Sequence, residues 1–139
     1  MRSHAVNHAI VQQLRAAFDH ADANLVCAYL YGSLARGQEH RESDVDIAVL
    51  YATEPPSTLD GLGVALSTAL ERHLGRPVDL VVLNRAPVDL IHRVLRDGIL
   101  LHDRHPAARI RFEVKTRNAY FDLLPYLRQY RRSTRSASL

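Results

Sequence analysis

Residues 25–31, LVCAYLY, place seven apolar or aromatic side chains in succession. The run is too short for a buried helix to be the better reading. A strand without polar alternation must be covered on both faces. The chain is therefore expected to build a sheet with helices on either side. The neighbouring patterns supply the other elements. Val6, Ile10, Leu14 and Phe18 recur every four residues and predict a helix over 4–22, with Ser3 as N-cap. Residues 44–50 predict a second strand. Pro55 and Pro56 make ATEPPST a loop, since neither could sit in a central strand. Leu59, Leu62, Leu66, Leu70 and Leu74 line one face of a helix over 58–74, and Gly75 follows its end. PVDLVVL, 77–83, is a third strand. Pro87 opens a helix to about Arg96 that Gly98 lets stop, and GILLH is a short fourth strand. From about 107 the pattern is helical, with an interruption or restart expected near Asp122–Pro125 because Pro125 has no backbone N–H to donate. The fold class that results is α/β (α+β), a small mixed β-sheet flanked by helices.

A length of 139 residues predicts one domain. The expected division is a domain over 1–130 and a basic, flexible tail over 131–139. The net charge of +3 conceals an asymmetry. Residues 104–139 hold nine Lys/Arg against two Asp/Glu, net +7, and residues 1–103 hold nine against thirteen, net −4. The C-terminal end is thus a candidate surface for an acidic partner. No apolar run approaches ~18 residues, which argues against a membrane span. The N-terminus, MRSHAVNHAI, lacks the apolar core of a secretory leader. The single cysteine, Cys27, lies inside the apolar run and reads as a small buried hydrophobe in a reducing compartment. A cytoplasmic location is expected.

The second strand carries the chemistry. Asp44 and Asp46 are two residues apart and so project to one face, while Val45, Ile47 and Val49 point the other way. Two adjacent carboxylates in an apolar strand repel and lose hydration unless a positive charge lies between them. A hard divalent cation meets that need, and Mg²⁺ takes one or two carboxylates together with waters and substrate phosphates. Asp79 stands at the head of the third strand in the same kind of setting. If the two strands are neighbours, about 4.8 Å apart, Asp79 joins the pair. Three carboxylates can hold two metals in the arrangement used for phosphoryl transfer. Gly32 and Ser33 end the preceding strand. A glycine turn lets backbone N–H groups approach an anion, Ser33 can cap a single helical turn ended by Gly37 and donate its hydroxyl to a phosphate oxygen, and Arg36 adds charge.

GSLARG followed by SDVDIAVL resembles the signature of the polymerase-β-like nucleotidyltransferase superfamily. The small size resembles its minimal members, the MntA-type antitoxins, over roughly residues 5–130. The resemblance implies the polymerase-β-like nucleotidyltransferase fold. It implies that Asp44, Asp46 and Asp79 bind metal and carry catalysis, with two Mg²⁺ ions. Gly32, Ser33 and Arg36 would hold the nucleotide. It further implies ATP as substrate and a HEPN-domain ribonuclease toxin, HepT, as partner, silenced by transfer of AMP to one of its tyrosines. Asp79 would help deprotonate the acceptor hydroxyl. Two other functions fit the same residues: an antitoxin that masks its toxin without chemistry, and a small-molecule nucleotidyltransferase.

Other features are given bland readings. His102, Asp103 and His105 fall in a loop without a fourth ligand for zinc. Tyr29 and Tyr31 are expected to pack in the core, and Phe121 to lie on a helix face against the sheet. RNA contact through the basic end ranks below protein contact, because few aromatics interleave with the arginines.

Overall fold

A computed structural model describes residues 8–38, 44–55 and 63–137, with side chains placed as far as Arg132. The run LVCAYLY forms β1 (Leu25–Tyr31) and lies inside the sheet, as its unbroken apolar character requires. It pairs antiparallel with β2 (Val45–Tyr51) on one side and with β4 (Ile99–Asp103) on the other. β2 pairs in turn with β3 (Val78–Val82), in parallel, and the strand order is β3-β2-β1-β4. A parallel pair needs a crossover, and α3 (Val64–Leu74) lies in it.

Helices cover both faces. Val45, Ile47 and Val49 of β2 pack with Ile10, Leu14 and Phe18 of α1 (His8–Phe18) and with Leu70 of α3. Ala48 and Leu50 turn the other way, onto Ile91 and Val94 of α4 (Val88–Asp97) and Phe112 of α5 (Pro106–Ala137). Strand alternation places Asp46 on the α4 side.

A polar network fixes α5 to the sheet. The Tyr29 hydroxyl donates to Glu113 Oε2 at 2.8 Å, and Arg109 pairs with Asp103 and Glu113, both at 3.0 Å. Burial pushes the Cys27 thiol up to about 12, so this cysteine is a packed, unreactive group. Gly98 is required by close approach. Its φ of −77° is open to any residue, but a Cβ there would run into the Val94 carbonyl and sit 3.2 Å from the Leu30 carbonyl. The end of α4 can therefore close on β1.

The strands and α4 match the sequence expectations within a residue or two. Ser3, the first turn of the expected 4–22 helix and residues 58–62 lie outside the described residues. Three differences stand out. The expected break near Asp122–Pro125 is absent: α5 runs unbroken from Pro106 through Ala137, into the 131–139 stretch. Pro125 and Phe121 are both exposed, so water can serve the Phe121 carbonyl that proline leaves without a partner. Phe121 itself is 61% exposed rather than packed on the sheet. His102 closes the fourth strand expected from GILLH, while Asp103 extends β4 by one residue into the expected loop; His102 is stacked on Phe18 at a ring-centroid separation of 5.8 Å.

Proline in a helix interior is about 3 kcal/mol less favourable than alanine. Pro125→Ala is therefore expected to stabilise the second half of α5 by about 1–3 kcal/mol. The check is a gain in helical circular dichroism and thermal midpoint, and an unchanged or lower midpoint would contradict it.

Candidate active site

β1 ends at Tyr31, and the chain turns at once into the four-residue helix α2 (Gly32–Ala35). The turn is possible because Gly32 adopts a left-handed φ of +75°. A second constraint acts at the same position. A Cβ on Gly32 would collide with the Asp46 carboxylate oxygen Oδ2 and lie 3.0 Å from its Cγ. The backbone of the turn thus rests directly on the Asp46 side chain.

The ladder completes the arrangement. Tyr31 is the register partner of Asp46, and Asp46 is the register partner of Asp79. Paired residues share a face, so β1, β2 and β3 carry Tyr31, Asp46 and Asp79 in a row with strands about 4.8 Å apart. Asp44 immediately precedes β2 and is exposed. The neighbouring strands expected from sequence are therefore neighbours in fact, and all three acids lie at the N-terminal end of the β2–β3 pair.

Charge is concentrated there. Burial raises the Asp46 carboxyl above the usual carboxylate range, Asp79 and then Asp44 raise it further, and Arg36 opposes them. Burial pushes the Tyr31 hydroxyl up to about 12, aided by Asp46 and Asp79 and opposed by Arg93 of α4. Among the described residues no three His, Cys, Asp or Glu side chains are grouped closely enough to enclose a metal. Asp44 and Asp79 are both exposed, and like-charged side chains in solvent gain by standing apart. The acids share one end of the β2–β3 pair without forming a closed cage.

Ser33 departs from expectation. Tyr31, in extended backbone, holds the N-cap position with no side-chain capping bond, and Ser33 is the second residue of α2. The residue that bends left-handed is Gly32, which shifts the helix start by one. Gly37, at φ +73°, ends the turn as expected. Arg36 is exposed, at the end of the same turn. Tyr31 and Arg93 were not picked out by sequence as site residues. Tyr31 resembled its core neighbours, and Arg93 is distant in the chain; only the α4 crossing brings it to the site.

The family model described as "Polymerase beta, Nucleotidyltransferase" matches residues 12–107. Protein adenylyltransferase MntA of Shewanella oneidensis is 39% identical over 93 residues, which is 66% of this chain and 63% of that relative's length. A crystal structure of a toxin–antitoxin with AMP-PNP superposes with a TM-score of 0.75 at 28% identity, covering 89% of this chain and 97% of the other. A tri-AMPylated Shewanella oneidensis HEPN toxin in complex with MNT antitoxin matches with a TM-score of 0.70 over 91% of this chain and 97% of the other. At 24% identity that last likeness speaks for the fold.

Two stability measurements test this geometry. A left-handed backbone costs a non-glycine residue about 1–2 kcal/mol. Gly75 also has positive φ, +70°, but open space around it. Gly75→Ala should lose only the backbone cost, roughly 3–8 °C in thermal midpoint. Gly32→Ala should lose more, the excess reporting the contact with Asp46. Equal losses would contradict that contact. The second measurement follows from the raised Asp46 carboxyl. The folded state holds that proton more tightly than the unfolded chain, so the ionised carboxylate opposes folding at neutral pH. The cost disappears as pH falls through the raised folded value toward the unfolded one, near 3.8. Asp46→Asn should therefore melt higher than the parent chain at neutral pH, with the gap narrowing on acidification.

Proposed function

Because the chain belongs to the polymerase beta nucleotidyltransferase family, we propose that it is an antitoxin that transfers AMP from ATP to a tyrosine of a HEPN ribonuclease toxin. The observation that carries this reading is the half-buried Asp46 carboxylate, packed under the Gly32 turn and in register with Asp79. A likeness to a protein adenylyltransferase and to a toxin–antitoxin holding AMP-PNP supports the choice of reaction and partner.

The donor set suits a hard cation: oxygen ligands only, with Asp46 made more basic by burial and by two like-charged neighbours whose repulsion a cation would offset. Asp44, Asp46 and Asp79 would hold Mg²⁺, two ions in the full set. When bound, the metal offsets charge on the phosphorus oxygens and on the departing pyrophosphate. The chain's own groups do the rest. Gly32, lacking a side chain, lets the backbone come close to the triphosphate, and Ser33 donates to a phosphate oxygen. Arg36 adds positive charge at the end of the turn. Asp79, exposed on the last strand of the sheet, is open to an incoming hydroxyl and takes its proton. The toxin's tyrosyl oxygen then forms a bond to the α-phosphorus, the bond to the β-phosphate oxygen breaks, and pyrophosphate leaves. Tyr31 remains a neutral phenol at physiological pH and can act as a hydrogen-bond donor beside Asp46.

The test is intact mass of the cognate toxin after incubation with this chain, ATP and Mg²⁺. AMP addition is expected, and a chelator should abolish it. Asp44→Asn or Asp46→Asn should slow transfer by at least about a hundredfold, and Arg36→Gln by roughly tenfold. Transfer at the parent rate by both carboxylate variants would overturn the assignment. The exposed Phe121, Tyr126 and Tyr130 on α5 favour a second reading, neutralisation by masking. Full neutralisation of the toxin by Asp46→Asn, with no AMP transferred, would establish it instead.

A further inference from the structure

Two cavities, of about 300 and 490 Å³, open beside the first turns of α5. They share Val26, Ala52, Ala108 and Arg111, and so form one groove between α5, the start of β1 and the end of β2. Its floor is apolar: Val26 and Leu50 are buried there, and Phe112 joins them. Its rim carries Arg104, Arg111 and Lys115, all exposed. Among the described residues no carboxylate lines it.

The fold makes no use of these cations. Among the described residues none of the three side chains donates a hydrogen bond or enters an ion pair. Arg109, between them in sequence, differs: Asp103 and Glu113 both pair with it, at 3.0 Å, which leaves those acids occupied. Arg111 and Lys115 stand four residues apart on one helix, a spacing at which like charges repel. The N-terminal end of a helix is itself partially positive, and the first turn of α5 holds no acid. The arrangement works against the helix, and an anionic occupant would relieve it.

We propose that this groove docks an acidic segment of a protein partner, one that inserts a large apolar side chain. The cations on the rim meet the carboxylates of such a segment, and the floor takes its apolar anchor. A nucleic-acid strand fits less well, because bases need exposed rings to stack on and the two rings here, Tyr51 and Phe112, are both half-buried. The basic excess of residues 104–139 thereby gains a definite place. β1 runs from Val26 in the groove to Tyr31 beside Asp46, roughly 17 Å along the strand. A segment docked here leaves the Gly32 turn and the carboxylates open, so the proposal stands apart from the transfer reading above.

The probe is the fluorescein-labelled peptide Asp-Glu-Leu-Asp-Glu-Leu-Asp, followed by anisotropy with the full chain. Saturable binding is expected, and serine in place of both leucines should weaken it by about fivefold or more. Arg111→Gln with Lys115→Gln should weaken it by about tenfold or more. The thermal midpoint of that double variant should be unchanged or higher, since a repelling pair is gone. Ala107→Glu should also abolish binding while the chain stays folded, because the first turn of a helix favours an acid. Asp46→Asn, at the other end of the sheet, should bind as the parent does. Four results would each overturn the proposal: no saturable binding to the parent chain, parent-like affinity or a lowered midpoint in the double variant, loss of binding in Asp46→Asn, or tighter binding of an octameric uridine oligoribonucleotide than of the peptide.

Discussion

The site depends on a carboxylate forced into a place where apolar residues would fold better. β2 is buried along nearly its whole length, and Asp46 interrupts it at the point where the β1 turn comes down upon the strand. The contact requires a glycine twice over, once for its left-handed backbone and once for its missing Cβ. A change at either residue therefore acts on the other. The fold accepts an unfavourable charge here, and the two apolar clusters on either side of the sheet supply the rigidity that keeps it in place.

Much of this was legible in the sequence because the strands announce themselves. LVCAYLY and VDIAVLY are continuous apolar runs, and an acid inside such a run is conspicuous. Asp79 was found by the same logic, a second acid at the head of a second apolar strand, and the parallel β2–β3 register placed it opposite Asp46. Gly32 was found as a strand end followed by a turn residue.

What was not legible has physical reasons. The break expected at Pro125 came from its missing backbone N–H, but Pro125 lies on a solvent-facing surface where water can serve the freed carbonyl, so the helix runs on. Ser33 was assigned a cap because serine is a good one, but the residue that takes the left-handed bend decides where the helix begins, and that is Gly32. Phe121 was placed inside on hydrophobicity alone; the helix face it occupies is set by how Tyr29, Glu113 and Arg109 dock the first turns of α5. Arg93 could not be associated with Tyr31 by spacing at all, because its charge reaches the Tyr31 hydroxyl only through the way α4 crosses the sheet.

The position of β3 at the end of the sheet has a consequence for the chain's behaviour in solution. A terminal strand presents hydrogen-bonding groups to any passing strand, and β3 reads VDLVV, an apolar sequence with a single charge. Charged side chains on terminal strands discourage pairing between molecules. Asp79 is that charge. An apolar residue in its place would leave the strand wholly apolar, a sequence better suited to pairing with another edge, so this one side chain carries a constraint that holds whatever the site does.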